Sequence, residues 1–141
     1  GEKDFDLKNI NAKKIYDDYN KKNIKWCYST LEDVKSNINS FNRNYLNSFN
    51  FIKGKVENTL DLPENLPEKI SLLRLDTDFF ESTKKELEVL YPRLVPGGIL
   101  IIDDYGHWKG SKKAVDEYFK LDNNFLWFHR IDYASRLLIK K

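Results

Sequence analysis

The 141-residue sequence contains a single cysteine, Cys27, and carries a net charge of only +2. One cysteine excludes an intrachain disulfide and a cysteine-based metal site. The balanced charge, without a basic block interleaved with aromatic residues, argues against nucleic acid as a partner. No apolar run approaches the ~20 residues of a membrane span, and no signal peptide is recognisable. We therefore expect a cytoplasmic protein without a membrane span.

Glycine is also scarce, with six residues in the whole chain. None of them forms a glycine-rich turn after an apolar run, so the sequence has no nucleotide- or cofactor-binding fingerprint of that kind. The chain length corresponds to one domain or less.

The most informative features of the sequence, for both fold and function, are two apolar runs that each end in aspartates. Leu72–Leu75 leads into Asp76-Thr77-Asp78, and Ile99–Ile102 leads into the pair Asp103-Asp104. Such runs, bounded by Pro or Gly, are typical of strands buried on both faces of a parallel sheet. One amphipathic helix between them predicts a βαβ crossover, which brings both acidic groups to the carboxyl edge of neighbouring strands. A divalent cation would offset the repulsion between these carboxylates.

The rest of the chain shows weaker patterns of helix, strand and turn. In the first half we expect a short helix around Ile15–Tyr19, a capping box at Ser29–Glu32 before a helix, and a strand at Phe49–Gly54. In the second half we expect a capping box at Thr83–Glu86 before a helix that Pro92 kinks or ends, a helix from about Ser111, and an antiparallel hairpin of Phe125–Ile131 with Arg136–Ile139. Arg74, inside a strand, needs an acidic neighbour. The order predicts an α/β fold that resembles part of a Rossmann-like methyltransferase sheet, with parallel strands followed by an antiparallel hairpin.

From about Ser29 onward, the sequence resembles the macrocin O-methyltransferase (TylF-type) family. The shared stretches, in the family's order, are Tyr28–Val34, Lys53–Leu60, Leu73–Thr83, Leu90–Leu94, Pro96–Gly98, Asp103–Gly106, Ala114–Tyr118 and Arg130–Tyr133. We divide the chain accordingly into a polar lid or insertion segment, residues 1–28, and the carboxyl-terminal part of a methyltransferase domain, residues 29–141. The family's first strands and glycine-rich loop would precede this chain.

The resemblance implies Mg²⁺- and S-adenosylmethionine-dependent methylation of a hydroxyl on a small-molecule or glycan acceptor, typically a sugar of a natural product. It places metal ligands at Asp76, Asp103 and Asp104. Asp78, two residues beyond Asp76, could support the metal ligands without binding the metal, act as the general base, or cap the helix that begins near Glu81. Asp76 itself is the other candidate base.

Three further side chains are candidates for the site. His107 could act as a base at neutral pH or be a solvated loop histidine. Glu57 and Asn58, together with Asp76, could contact the cofactor, or the first two could simply cap a turn. Two positions depart from the family: Thr77 stands where glycine is usual, and Asn58 where aspartate is usual.

Two other functions remain open from the sequence. The motif Asp76-Thr77-Asp78 with the pair Asp103-Asp104 mimics a haloacid dehalogenase-type phosphatase, but only one helix and a turn separate the two groups, and Phe80 replaces the usual Thr. Alternatively, the chain is an inactive or truncated methyltransferase-like module that acts in assembly. An unpaired edge on the strand at Ile70 would favour such a role and a homodimer.

Overall fold

The computed structural model describes residues 4–41, 45–120 and 128–141. The helices are α1 Ala12–Lys21, α2 Leu31–Phe41, α3 Val56–Thr59, α4 Phe80–Leu90 and α5 Lys109–Lys120, and the strands are β1 Ile70–Leu75, β2 Leu94–Ile102, β3 His129–Arg130 and β4 Arg136–Ile139. Short 3-10 turns occupy Tyr45–Ser48, Pro63–Asn65 and Tyr91–Arg93. Within these ranges no helix is both long enough and apolar enough to cross a membrane.

The four strands form one sheet in the order β1-β2-β4-β3. β1 and β2 are parallel, with Leu72 opposite Ile99 and Leu75 opposite Ile102. β4 runs antiparallel to β2 and to β3. The predicted βαβ crossover and terminal antiparallel hairpin are thus confirmed. The predicted strand residues 125–127 lie outside the described residues.

One face of the sheet holds the core. Leu73 and Leu75 of β1 pack there with Leu87 of α4 and Val115 of α5, and Leu87 is completely buried. On the opposite face, Leu72 remains 57% exposed. The expectation that both runs are buried on both faces is therefore wrong for β1. Since α4 and α5 share one core cluster, the described residues place both helices on the same side of the sheet.

Both predicted capping boxes need correction. At α2 the reciprocal bonds join Thr30 and Asp33, one residue later than predicted: Asp33 N donates to Thr30 Oγ1 (3.0 Å) and Thr30 N donates to Asp33 Oδ2 (3.1 Å). At α4 the helix begins at Phe80, so Thr83 and Glu86 lie inside it and are buried. The Thr-x-x-Glu spacing there reflects two side chains on the inner helix face, since residues three apart are neighbours on a helix.

The remaining predictions differ in outcome. α1 confirms the helix around Ile15–Tyr19, and α4 ends at Leu90, directly before the turn that contains Pro92. α5 begins at Lys109, two residues earlier than expected. The strand predicted at Phe49–Gly54 is wrong. A strand needs a neighbour to take its backbone hydrogen bonds, and among the described strands none pairs with this segment.

Candidate functional site

The acidic residues that follow β1 and β2 meet at one sheet edge, as the sequence predicts. Asp103 N donates to Leu75 O (2.9 Å), which extends the pairing of β1 and β2 one residue past the end of β2. Carboxylate oxygens of Asp76, Asp78 and Asp104 lie within 4.8 Å of one another. The edge therefore presents three converging carboxylates from two adjacent loops.

Asp103 takes a different position from Asp104. Arg74 Nη2 lies 3.0 Å from Asp103 Oδ1 and 2.9 Å from Asp76 Oδ2, so this guanidinium bridges the two strand ends. The predicted acidic neighbour of Arg74 is thus present, although Arg74 itself is half exposed rather than buried. Of the predicted metal ligands, Asp76 and Asp104 join Asp78 in the close group, while Asp103 lies beside Asp76 and binds Arg74.

The electrostatics of this group favour a bound cation. Burial, followed by the nearby Asp78, raises the pKa of Asp104 to about 8. Burial and the charge of Asp103 also raise the pKa of Asp76, partly opposed by Arg74. Asp104 Oδ2 is buried and, within the described ranges, accepts no hydrogen bond. A buried carboxylate oxygen that accepts no hydrogen bond fits a hard cation such as Mg²⁺, which takes oxygen ligands.

Asp78 sits at a strained position in the loop between β1 and α4. Its φ is +67°, and Phe79 N donates to Thr77 O (2.8 Å), which closes a γ-turn around Asp78. A non-glycine residue with positive φ costs energy and is often found at functional sites. The alternative that Asp78 caps α4 is wrong, because the N-cap residue of α4 is Phe79 and it makes no side-chain capping bond.

Two hydrogen bonds to α4 fix the loop between β1 and α4. Thr77 Oγ1 donates to Glu86 Oε2 (2.9 Å), and Ser82 Oγ donates to Thr77 O (3.1 Å). Because the positive φ falls on Asp78 and not on Thr77, a β-branched residue fits where the family usually has glycine. The departure at Thr77 therefore adds a hydroxyl anchor to the loop.

Glu86 lies beside the acidic group, although its sequence pattern predicted a role in a helix capping box. It is only 6% exposed, and burial raises its pKa to about 7, with smaller contributions from the charges of Glu57 and Asp76. The signal that could have revealed it is its spacing: Glu86 lies three residues after Thr83 and one before Leu87, on the apolar face of α4. It lies directly behind the loop that carries Asp76 and Asp78.

The other candidates lie around the acidic group rather than within it. His107 N donates to Asp104 O (3.0 Å), and His107 Nδ1 lies 3.4 Å from the Tyr133 hydroxyl. Glu57 is half-buried in α3 and its charge acts on Glu86, whereas Asn58 is exposed. None of these three belongs to the close group of ligand atoms found among the described residues.

The amino-terminal arm, residues 4–28, packs beside this site. Trp26 lies edge-on to Trp108, with ring centroids 6.2 Å apart, and Lys109 N donates to Phe5 O (2.9 Å). Burial, then the charges of Asp78 and Asp104, raise the pKa of the Cys27 thiol, which places this residue near the carboxylates. The division of the chain into a lid and a main part stays a prediction, but the arm borders the acidic site.

These features define the chain as a Rossmann-like α/β protein with carboxylates at the carboxyl edge of parallel strands. The family model for macrocin-O-methyltransferase (TylF) matches residues 7–137, and the chain belongs to this family. The solved O-methyltransferase NovP is similar in fold, with a TM-score of 0.68, 28% identity, and coverage of 79% of this chain and 45% of that chain.

Two curated relatives are similar over part of their length. The 8-demethyl-8-(2,3-dimethoxy-alpha-L-rhamnosyl)-tetracenomycin-C 4'-O-methyltransferase of Streptomyces olivaceus is 43% identical over 62% of this chain and 32% of its own length. The demethyldecarbamoylnovobiocin O-methyltransferase of Streptomyces niveus is 41% identical over 48% of this chain and 25% of its own length. The chain thus spans about a third or less of these two relatives.

Proposed function

We propose that this chain forms the metal- and acceptor-binding part of an S-adenosylmethionine-dependent O-methyltransferase that acts on a hydroxyl of a sugar or glycosylated metabolite. The convergence of Asp76, Asp78 and Asp104 at the strand ends, with a buried Asp104 oxygen that lacks a donor, carries the proposal. Membership of the TylF family supports methyl transfer. Family membership likewise favours methyl transfer over the phosphatase alternative.

We infer that Asp76 and Asp104 hold Mg²⁺, with Asp103 completing the set that the resemblance implies. The geometry adds Asp78 as a further oxygen donor close to Asp76 and Asp104. When bound, the cation would orient the acceptor and lower the pKa of the hydroxyl to be methylated. Arg74 would hold Asp76 and Asp103 in place, because its guanidinium contacts both carboxylates.

Asp78 is our choice for the group that accepts the hydroxyl proton, through the carboxylate oxygen that would not bind the cation. The γ-turn fixes its position in advance of binding, and the bonds of Thr77 to α4 keep the turn in place. A base held in position contributes to the rate without a cost for ordering it. Asp76 and His107 remain alternative bases, and His107 can be oriented by the Tyr133 hydroxyl.

S-adenosylmethionine would supply the methyl group. Glu57, Asn58 and Asp76 are the residues of this chain that we propose contact it, since α3 packs on α4 beside the site. A cytoplasmic location belongs to the same proposal.

Calorimetry tests the proposal directly. We expect the chain to bind Mg²⁺, and Asp104→Asn to lose most of that binding, because a neutral amide cannot give up a proton to become an anionic oxygen ligand. The matched control is Asp33→Asn, which changes an exposed carboxylate in the capping box of α2. If Asp104→Asn and Asp33→Asn both bind Mg²⁺ as the parent does, the acidic group is not the metal site. Titration of S-adenosylmethionine with and without Mg²⁺ then tests the cofactor.

A second candidate role is assembly. Among the described strands, β1 pairs only with β2, and Leu72 on β1 is 57% exposed. An unpaired strand edge with an exposed aliphatic residue can pair with a second copy. Light scattering would show a mass that rises with concentration and falls in Leu72→Lys. A constant monomer mass would rule out a homodimer through this edge.

A further inference from the structure

Asp4 is a buried carboxylate at the start of two helices. It is only 4% exposed, and its Oδ1 accepts a hydrogen bond from Phe80 N (3.0 Å), the first residue of α4. A side chain on Gly110, in the first turn of α5, would overlap Asp4 Oδ1 and would come within 2.9 Å of Phe80 N. Asp4 is therefore wedged between the amino-terminal ends of α4 and α5. Partial positive charge at helix amino termini stabilises a carboxylate there.

These two helix starts directly follow the two acidic loops. Asp76 and Asp78 lie in the loop before α4, and Asp104 lies in the loop before α5. The backbone next to Asp4 is also bonded to the end of the loop that carries Asp104. Lys109 N donates to Phe5 O (2.9 Å), and the backbones of Asp6 and Trp108 form an isolated antiparallel β-bridge. On the sheet side, the bond from Asp103 N to Leu75 O already joins the loops. Asp4 supplies the corresponding link on the helix side.

We propose that Asp4 is a positioning residue that fixes the spacing of the two acidic loops and so sets the affinity of the carboxylate group for a divalent cation. The inference rests on the proposed function, because it presumes a cation at Asp76, Asp78 and Asp104. Asp4 acts through Phe80 N and through its contact with Gly110, not by touching the cation. Groups that orient metal ligands without binding the metal typically change affinity by roughly 10- to 100-fold.

The test measures Mn²⁺ binding to the whole chain by calorimetry, with secondary structure checked by circular dichroism. We expect Asp4→Ala to bind Mn²⁺ at least roughly 10-fold more weakly than the parent. Asp4→Asn keeps an acceptor oxygen for Phe80 N and should bind nearly as tightly as the parent. The matched control is Asp18→Ala, which removes an exposed carboxylate of α1 in the same arm whose ion-pair partner is Lys21.

A second variant covers the case in which Asp4→Ala does not fold. Gly110→Ala leaves Asp4 in the sequence, but the new Cβ would overlap Asp4 Oδ1 and approach Phe80 N, so it disturbs the contact of Asp4 with both helix starts, and alanine is a good helix former. It should weaken Mn²⁺ binding in the same direction, and unchanged binding would contradict the inference.

The outcomes separate this inference from the function on which it rests. Unchanged binding in Asp4→Ala, with binding lost in Asp104→Asn, would overturn the role of Asp4 and leave the metal site standing. Equal weakening in Asp4→Ala and Asp18→Ala would also overturn it, because the effect would then not be specific to Asp4. If the parent does not bind Mn²⁺, or Asp104→Asn binds it normally, both the metal site and the role of Asp4 are refuted.

Discussion

Replacing the buried Glu86 by glutamine should stabilise the metal-free chain at neutral and higher pH. Glu86 is 6% exposed, and burial raises its pKa from 4.5 to about 7. At ~1.36 kcal/mol for each pH unit, this shift corresponds to an upper limit of roughly 3 kcal/mol. Glutamine keeps an oxygen that can accept the Thr77 hydroxyl hydrogen bond but carries no charge to bury.

The sign of the pH dependence follows from linkage. Between the ordinary pKa of 4.5 and the folded value of about 7, the folded chain binds a proton at Glu86 that the unfolded chain has released. Stability therefore falls as pH rises through this window. The advantage of Glu86→Gln over the parent should be small at pH 4 and should grow by roughly 2–3 kcal/mol by pH 8.

The assay is urea unfolding followed by circular dichroism, at several pH values from 4 to 8 and with a chelator present. Glu88→Gln, a half-exposed position two residues along the same helix, is the matched control and should track the parent. An advantage of Glu86→Gln that stays constant across this pH range would refute the assignment of a buried, proton-binding glutamate behind the acidic loop.

Other changes have defined expectations. Asp78→Gly relieves the positive φ and should raise the free energy of unfolding by about 1 kcal/mol in urea unfolding. The same variant should bind Mg²⁺ more weakly in calorimetry. A loss of stability would contradict the strained turn. Lys140→Met removes a lysine that donates to the carbonyls of Tyr91, Pro92 and Leu94, and should lower stability by about 1–3 kcal/mol in thermal unfolding; no change would mean that solvent replaces these bonds. Thr30→Ala should cost about 1 kcal/mol without changing Mg²⁺ affinity, and a change in affinity would link α2 to the site.

The elements predicted well from the sequence are those with a distinctive local pattern of apolar and acidic residues. β1 and β2 are apolar runs bounded by Pro or Gly and tipped with aspartates, and the structure joins them as expected. The segment Phe49–Gly54 has three apolar residues and a closing glycine, but no described strand pairs with it. A local sequence pattern does not determine whether a segment finds a pairing partner. The Thr83–Glu86 spacing satisfied a capping rule while its physical cause was burial on one helix face.

The candidate site likewise contains residues that local sequence patterns predict and residues that they do not. Asp76 and Asp104 were placed correctly at one edge because the carboxyl ends of parallel strands coincide. Glu86 was detectable in principle from its position on the apolar face of α4. Asp4 was not, because its bond to Phe80 spans 76 residues and no short-range pattern encodes such a contact.

The Trp26–Trp108 contact gives the chain an optical reporter of its own. Trp108 is 4% exposed, and its ring touches Trp26 from the arm as well as Phe79 from the acidic loop. A displacement of the arm that separates Trp26 from Trp108 would expose both indoles to more water and shift tryptophan fluorescence to longer wavelength. Opening of the arm can therefore be timed by emission alone, without a label near the carboxylates.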